Sequence, residues 1–356
     1  MSIGRRFPLL ASLLLVVACA GARPPATPAA AAGETPPMIW PKRLQPGDTI
    51  MFVAPAGDLD RDRMLLAKER LEARGYQVVM RDDLFAKEGY LAGSDERRAE
   101  ELMQAFLDPE VDAVFPGTGG YGTMRILDRL DYAKIRAHPK VLVGFSDITG
   151  LHLALNRRSG LVTFHSPSPM YGLGSEKNLT PFSEKYFFLA VEEGGEKGYT
   201  IEVPEEEGMP RPVALGSGRA RGRLVGGNLS LISALEGTPY AIDTRDAILL
   251  IEDTKEAPYR VDRMLRQLQL SGKLGRIRGA ILGQFTQNFA REVDPESVDP
   301  RYQIDGVLRQ YFENAGVPVL MNFPLGHFPE NCTLPMGGQV EVDADAGVVR
   351  VLGSER

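Results

Sequence analysis

Cysteine and histidine are scarce in this chain, whose 356 residues include two cysteines and four histidines. Cys19 and Cys332 are too few for a disulfide framework, and neither a CxxC nor an HExxH spacing occurs, so no zinc site is predicted. Positive charge is not in excess either: the formal net charge is −6, which argues against nucleic acid as a partner. The sequence therefore predicts a protein that uses neither a metal nor another cofactor.

Apolar runs long enough to cross a bilayer are missing as well. The run over residues 7–18 follows two arginines, and its length is typical of the hydrophobic region of a signal peptide. It leads into LVVAC, which resembles a bacterial lipobox, so we predict that residues 1–19 are a lipoprotein signal peptide and that Cys19 is lipidated. A plain secretory peptide that is cut elsewhere is the alternative interpretation.

The segment after the cysteine, residues 20–37, is rich in alanine and proline and is predicted to be an extended tether. Loss of Arg5 and Arg6 with the signal peptide would move the formal charge from −6 to −8. Ala20 directly follows the predicted lipidated cysteine. An aspartate at this position would be associated with retention in the inner membrane. We therefore expect a periplasmic protein anchored to the outer membrane, whose only membrane contact is its lipid.

Beyond Asp48 short apolar runs alternate with helical patterns, which predicts an α/β fold with a doubly wound parallel sheet. In one such helix Met64, Ala67 and Leu71 share a face, and TMRILDRL is predicted to be another helix. The pattern changes in the charged, glycine-rich stretch after residue 190 and then becomes mixed, with a closing hairpin in QVEVDADAGVVRVL. The predicted regions are an N-terminal domain over 38–190, a crossover over 191–218 and a smaller mixed α/β domain over 219–356.

Ser146 is the candidate nucleophile, because it follows the strand VLVGF and precedes a helix, as in a nucleophile elbow. Ile148 makes the GxSxG pattern incomplete, and serine also commonly caps helices. From these residues alone both interpretations, nucleophile and helix cap, stay open.

A serine nucleophile needs a base, and the four histidines can be considered one by one. His138 is predicted to lie at the surface, and His152 is predicted to be a core residue within a helix. His327, in the loop PLGHFPEN, is the first choice for the base, because its glycine and prolines favour a presented side chain. His165, at the end of the strand in TFHSPSP, is the second choice and is expected to line the same cleft.

The base in turn needs a carboxylate, and the apolar run AILLIEDT ends in two candidates. Glu252 is preferred for the cleft, whereas Asp253 fits a solvated turn, although strand parity does not separate them. An oxyanion would need backbone N–H donors, and Asp147 and the turn PGTGGYG over 116–122 offer them. The turn could equally cradle a phosphate, but no lysine follows it in P-loop spacing, so the oxyanion interpretation is favoured.

Five motifs, in order, resemble those of the L,D-carboxypeptidase family of serine peptidases, which includes muropeptide L,D-carboxypeptidases and microcin C self-immunity peptidases. They are TGGYG over 118–122, VGFSD over 143–147, GGNLS over 226–230, LIEDTKEAPYRVDRML over 250–265 and GHFPENCTLPMG over 326–337. The likeness runs from about Asp48 to Gly338 and is far more specific than any single motif.

The resemblance implies a triad of Ser146, His327 and Glu252, with the glutamate holding the imidazole. It implies a flavodoxin-like N-terminal domain joined to a smaller mixed C-terminal domain, a homodimer, no metal, and hydrolysis of the bond between an L-centre and a terminal D-amino acid in murein tetrapeptides. Residues predicted to form the oxyanion site or to contact the substrate are Gly119, Gly120, Tyr121, Asp147, His165 and Asn228.

Three positions depart from the family pattern. Thr118 stands in place of an arginine, Ser166 in place of a glycine and Ala56 in place of a serine. None of these removes a triad member, so we expect altered specificity before lost activity. Two alternatives remain: a microcin C immunity type peptidase that acts on aminoacyl-nucleotide conjugates, and a catalytically silent murein-binding lipoprotein.

Overall fold

The computed structural model describes Met1 and residues 35–287 and 299–354. Residues 2–19 of the predicted signal peptide, which include Cys19, and residues 20–34 of the predicted tether lie outside the described residues. No helix within the described ranges is both long and apolar enough to cross a membrane.

Five strands from the first half of the chain and one from near its end build a six-stranded sheet. Its strands are β1 (Thr49–Val53), β2 (Gln77–Met80), β3 (Ala113–Pro116), β4 (Val141–Gly144), β5 (Thr163–His165) and β12 (Leu334–Met336). Their order is β12-β5-β4-β3-β1-β2, and all neighbours are parallel except β12, which runs antiparallel to β5. All residues of β3, β4 and β5 are buried, as expected for inner strands of a parallel sheet.

Helices alternate with the first five of these strands as the pattern predicts, and further helices follow β5. They are α1 (Arg61–Ala73), α2 (Asp95–Leu107), α3 (Tyr132–Ala137), α4 (Thr149–Ser159), α5 (Pro181–Phe188) and α6 (Gly194–Lys197). Helix α1 buries Met64, Ala67 and Leu71, which confirms the predicted face, and the Asp60 side chain caps its first turn.

The prediction of one helix over TMRILDRL is wrong. Residues Thr123–Arg125 and Leu127–Arg129 form two short 3-10 turns. The α-helix begins only after Asp131, whose carboxylate accepts a hydrogen bond from the backbone N–H of Lys134. A capping residue just beyond the pattern thus decides where the helix starts.

The second half builds an eight-stranded mixed sheet. Its strands are β6 (Tyr199–Ile201), β7 (Val213–Ala214), β8 (Arg219–Asn228), β9 (Ala247–Thr254), β10 (Gly279–Thr286), β11 (Val319–Met321), β13 (Gln339–Asp343) and β14 (Val348–Leu352). The order is β6-β14-β13-β8-β9-β10-β11-β7, parallel from β8 to β11 and antiparallel towards both edges. The predicted closing hairpin is confirmed as β13 and β14.

The α-helices of this half within the described residues are α7 (Leu229–Ala234), α8 (Pro258–Leu270) and α9 (Ile304–Phe312). Helix α4 contacts both β8 and α7, so it packs the first sheet against the second, and a shared core joins Leu151 and Leu155 to Val225 and Leu229. The predicted α/β class, a parallel N-terminal sheet with a second mixed sheet, is confirmed.

Candidate active site

Ser146 occupies a sharp turn between β4 and α4. Its φ is 62°, a left-handed conformation that costs a non-glycine residue about 1–2 kcal/mol. It opens the 3-10 turn Ser146–Ile148, and within the described range 35–287 neither this turn nor α4 has a side-chain cap at its start. The serine hydroxyl therefore does not cap the helix, and it points to the loop that carries His327.

His327 lies between the serine and a glutamate. Its Nε2 is 3.0 Å from Oγ of Ser146, and its Nδ1 is 2.6 Å from Oε2 of Glu252. The preceding residue, Gly326, has a φ of 100°, and a Cβ there would lie 2.7 Å from that same Oε2. Only glycine lets this loop approach the carboxylate so closely.

Glu252 is a fully buried residue of β9, opposite Asn228 of β8 in the sheet register. The alternative acid, Asp253, is not the solvated turn residue that its position predicted. It is also buried, and its carboxylate accepts hydrogen bonds from Asn228, Ser230 and the backbone N–H of Thr254. Alternation along the strand places Glu252 towards His327 and Asp253 towards the start of α7.

The charges of this group are set by burial and by the neighbours. Burial alone would raise the pKa of Glu252, but the charge of His327 and the nearby His165 lower it to about 2. Burial alone would lower the pKa of His327, but the negative charge of Glu252 and its hydrogen bond raise it above the usual value. Burial and the repulsion of Glu252 raise the pKa of Asp253 to about 6. Glu252 thus stays ionised and favours the imidazolium form of His327.

The glycine turn lies directly against the nucleophile. A Cβ on Gly119 would lie 2.9 Å from the backbone nitrogen of Asp147 and 3.2 Å from Oγ of Ser146, so only glycine fits there. The buried carboxylate of Asp147 accepts a hydrogen bond of 2.9 Å from the backbone N–H of Thr123, and the Thr123 hydroxyl donates to the Asp147 carbonyl. These bonds hold the backbone of the glycine turn and the backbone of Asp147 close to Oγ of Ser146.

The spacing of Gly117, Gly119 and Gly122 also fits GxGxxG, a dinucleotide fingerprint. That fingerprint requires a helix whose N-terminus receives the pyrophosphate. Here two three-residue 3-10 turns follow instead, so the turn lacks the element that would bind a phosphate. The geometry favours the oxyanion interpretation.

Ser146 and His327 open into a pocket of about 740 Å³. Gly119 and Gly120 also line it, and so does Lys255, a residue that the sequence analysis missed. Of the five non-glycine residues with positive φ within the described ranges, three lie here: Ser146, Lys255 and Gln287. Such strained residues often mark functional sites, although no sequence pattern signals them.

The other predicted substrate contacts, Tyr121, Asn228 and His165, are not among the residues that line this pocket. Tyr121 is half exposed and packs edge to face on Tyr90 of the pocket rim, with ring centroids 5.8 Å apart. Asn228 is buried and caps α7, and His165 is buried beside Glu252. Neither is among the residues that line the pocket.

Two histidine predictions are confirmed. His138 is exposed, and His152 is buried with both ring nitrogens hydrogen-bonded. Within the described ranges no cluster of three histidine, cysteine, aspartate or glutamate side chains could hold a metal ion.

Comparisons with known proteins agree on one family. Residues 50–166 match the N-terminal domain and residues 221–342 the C-terminal domain of LD-carboxypeptidase. The chain is 40% identical over 306 residues to a probable murein peptide carboxypeptidase of Bacillus subtilis, covering 85% of this chain and 91% of the relative. It is 27% identical over 324 residues to the microcin C7 self-immunity protein MccF of Escherichia coli, covering 85% and 92%.

A solved structure is similar over the same range. The muramoyltetrapeptide carboxypeptidase of Oxalobacter formigenes superimposes with a TM-score of 0.72 at 30% identity, covering 86% of this chain and 99% of that one.

Proposed function

The chain belongs to the LD-carboxypeptidase family, and from that premise we propose that it is a serine carboxypeptidase that removes a terminal D-amino acid from murein peptides. The observation that carries the serine-type mechanism is the contact chain from Ser146 through His327 to Glu252 at the wall of an open pocket. The names of the relatives support the murein peptide as substrate.

In this proposal the hydroxyl of Ser146 donates to Nε2 of His327, and Nδ1–H of His327 donates to Glu252. Oγ attacks the carbonyl carbon while Nε2 takes the proton, and the N–H groups of the glycine turn and Asp147 stabilise the oxyanion. His327 then protonates the leaving amine, the C–N bond breaks, and an acyl-enzyme ester remains. Water, deprotonated by His327, cleaves the ester, and the proton returns to Ser146.

Lys255 is proposed to bind the terminal carboxylate of the peptide. A carboxypeptidase must recognise that charge, and Thr118 cannot supply it in place of the arginine usual in the family. Lys255 lines the pocket three residues after Glu252, and among the described residues it forms no ion pair. Its left-handed backbone, φ 63°, is the kind of strain that persists where a side chain must be aimed.

The activity test is mass spectrometry of L-Ala-D-Glu-meso-diaminopimelyl-D-alanine incubated with the chain from residue 37 onward, beside its Ser146→Ala variant. Loss of one D-alanine with the first protein only would support the proposal. A matching peptide ending in L-alanine should stay intact, which tests the stereochemical claim. Cleavage of an aminoacyl-nucleotide conjugate instead would favour the MccF-like alternative, and no cleavage of either would favour the silent binder.

We also propose that Cys19 is lipidated, that the protein is periplasmic at the outer membrane, and that it forms a homodimer. The lipobox-like sequence supports the first two, and the family resemblance supports the third. A Cys19→Ala variant should leave the membrane fraction, and light scattering on the chain from residue 37 onward should give twice the mass of one chain. Retention of the variant in the membrane, or a single-chain mass, would contradict these proposals.

A further inference from the structure

Two buried polar groups face each other behind the site without partners. Oε1 of Glu252 and both ring nitrogens of His165 have no hydrogen-bond partner among the described residues, and both side chains are fully buried. Nε2 of His165 lies 3.9 Å from Oε1 of Glu252, which is about 1 Å too long for a hydrogen bond. Unpartnered buried polar groups are rare and costly, so two that face each other call for a reason.

The backbone of His165 is fixed on both sides. In β5 it pairs with Gly144 of β4, directly before the nucleophile turn, and with Leu334 of β12 from the other half of the chain. The ring packs edge to face on Phe145, with centroids 6.2 Å apart. His165 therefore lies between the strand that leads to Ser146 and β12, and its ring reaches the side chain of Glu252 on β9.

His152 shows what a purely structural histidine looks like in this core. It is equally buried, but its Nδ1 contacts the Thr163 hydroxyl and its Nε2 contacts the Gly144 carbonyl, each at 2.8 Å. Burial lowers the pKa of His152 to about 3, so it stays neutral. Among the described residues His165 has no such partners, and its Nε2 lies 3.9 Å from Oε1 of Glu252.

We propose that His165 is a positioning residue of the reaction: its Nε2–H donates to Oε1 of Glu252 during turnover and holds the carboxylate plane for His327. The proposal requires that a rotation of one of these side chains closes the gap of 3.9 Å. Oε2 of Glu252 is already occupied by Nδ1 of His327, so the two histidines hold the two oxygens of one carboxylate. The contact chain then has four members, Ser146, His327, Glu252 and His165.

The inference rests on the proposed function, because it assigns His165 a part in activating Ser146. With one oxygen free, the Glu252 carboxylate could turn about its Cγ–Cδ bond and lose the line to Nδ1 of His327. A hydrogen bond from His165 prevents that rotation and withdraws negative charge from the Glu252 carboxylate. The proton on His327 therefore stays on the imidazole while the oxyanion forms.

The test uses His165→Phe, which keeps a flat ring without donors, His165→Gln, whose amide can restore a donor near Nε2, and His152→Phe as the matched control. The rate at which a fluorophosphonate labels Ser146 is measured alongside kcat and KM for D-alanine release. His165→Phe should lower labelling and kcat about 10- to 100-fold with KM unchanged, as for a lost hydrogen bond to a charged group. His165→Gln should recover most of the loss.

A positioning role also predicts non-additivity. In a Glu252→Ala background, which leaves no acceptor at this position, His165→Phe should cause no further loss. Equal losses in both backgrounds, or a loss no larger than that of His152→Phe, would overturn the inference. If the wild type labels with the fluorophosphonate but releases no D-alanine, the murein proposal fails, while the labelling rates still decide the role of His165.

Discussion

The two sheets position their parts of the site by opposite means. The first sheet presents Ser146 on a turn with φ 62°, where the backbone is strained and the side chain reaches the pocket. The second sheet holds Glu252 inside the regular strand β9, where the side chain is fully buried. His327 comes from a loop of the second half and joins the two.

The difference shows that one site can draw its precision from two sources. Strain exposes an oxygen at the cost of local stability, and only the surrounding fold keeps it there. Burial fixes a carboxylate by removing its alternatives, and only a partner charge keeps it ionised. Substitutions at the Ser146 turn should therefore change the reaction rate without loss of stability. Substitutions at Glu252 should change the reaction rate, its pH dependence and the stability of the fold together.

The largest expected effect is that of Ser146→Ala. It deletes the proposed nucleophile, so kcat for D-alanine release should fall about 10⁴- to 10⁶-fold. The side chain caps neither the 3-10 turn that it opens nor α4, so the free energy of unfolding should change by less than about 1 kcal/mol. Single-turnover product release and urea denaturation measure the two quantities. Retained activity would refute the nucleophile, and a large loss of stability would erase the contrast between the two regions.

Glu252→Gln should come next, with kcat reduced about 10³- to 10⁴-fold, because the imidazole loses its orienting charge. The charge of Glu252 raises the pKa of His327, and a general base must be deprotonated. In the wild type the rising limb of kcat/KM against pH should therefore have its midpoint above 6.5, and in the variant the midpoint should move down. A midpoint that stays in place would show that the two side chains are not coupled.

The pH dependence of the free energy of unfolding should also depend on the interaction between Glu252 and His327. The lowered pKa of Glu252 stabilises the fold above about pH 4.5 and loses that contribution as pH falls towards about 2. The raised pKa of His327 stabilises it below about pH 6.5 and loses it as pH rises through the higher, folded pKa. The wild type should exceed the variant most between these two limits. Asp253→Asn is the control. It should weaken the hydrogen bonds at the start of α7, and it should lower kcat less than Glu252→Gln does.

Much of this arrangement was predictable, and the misses have physical causes. Strand runs, the face of α1 and the order of motifs are local patterns, so the α/β class followed from the sequence. The distance from Ser146 to His327 depends on how residues 181 positions apart fold together, and the family resemblance rather than periodicity suggested it. Asp253 was misjudged because burial of its carboxylate depends on donors in β8 and α7 that strand parity does not reveal.

Lys255 and His165 illustrate two further limits. Nothing near Lys255 signals a positive φ, because that strain is imposed by tertiary structure rather than by residue type. His165 was expected to line the cleft because strands of a parallel sheet end there. The antiparallel strand β12 pairs alongside β5, and the side chain of His165 lies buried beside Glu252 instead.

A smaller effect should follow from Lys255→Met. The proposed contact with the terminal carboxylate should weaken binding, so KM should rise about 10- to 100-fold with little change in kcat. A peptide ending in an amide should be a poor substrate for the wild type, and the variant should no longer distinguish acid from amide. Lys134→Met, on the exposed face of α3, should leave both constants unchanged. Undiminished preference for the acid in the Lys255 variant would assign carboxylate recognition to another group.

The smallest expected effect tests the strain itself, by comparing Ser146→Gly with Ser146→Ala in urea denaturation. Alanine keeps the penalty of φ 62° whereas glycine does not, so the glycine variant should be the more stable by about 1 kcal/mol, even though glycine has the more flexible unfolded state. At Glu69, an exposed position in the middle of α1, the same pair of substitutions should give the opposite order, because glycine is the poorer helix former by about 1 kcal/mol. If alanine gave the more stable variant at both positions, the backbone at Ser146 would not be strained. The contrast between a strained turn and the regular strand β9 would then be lost.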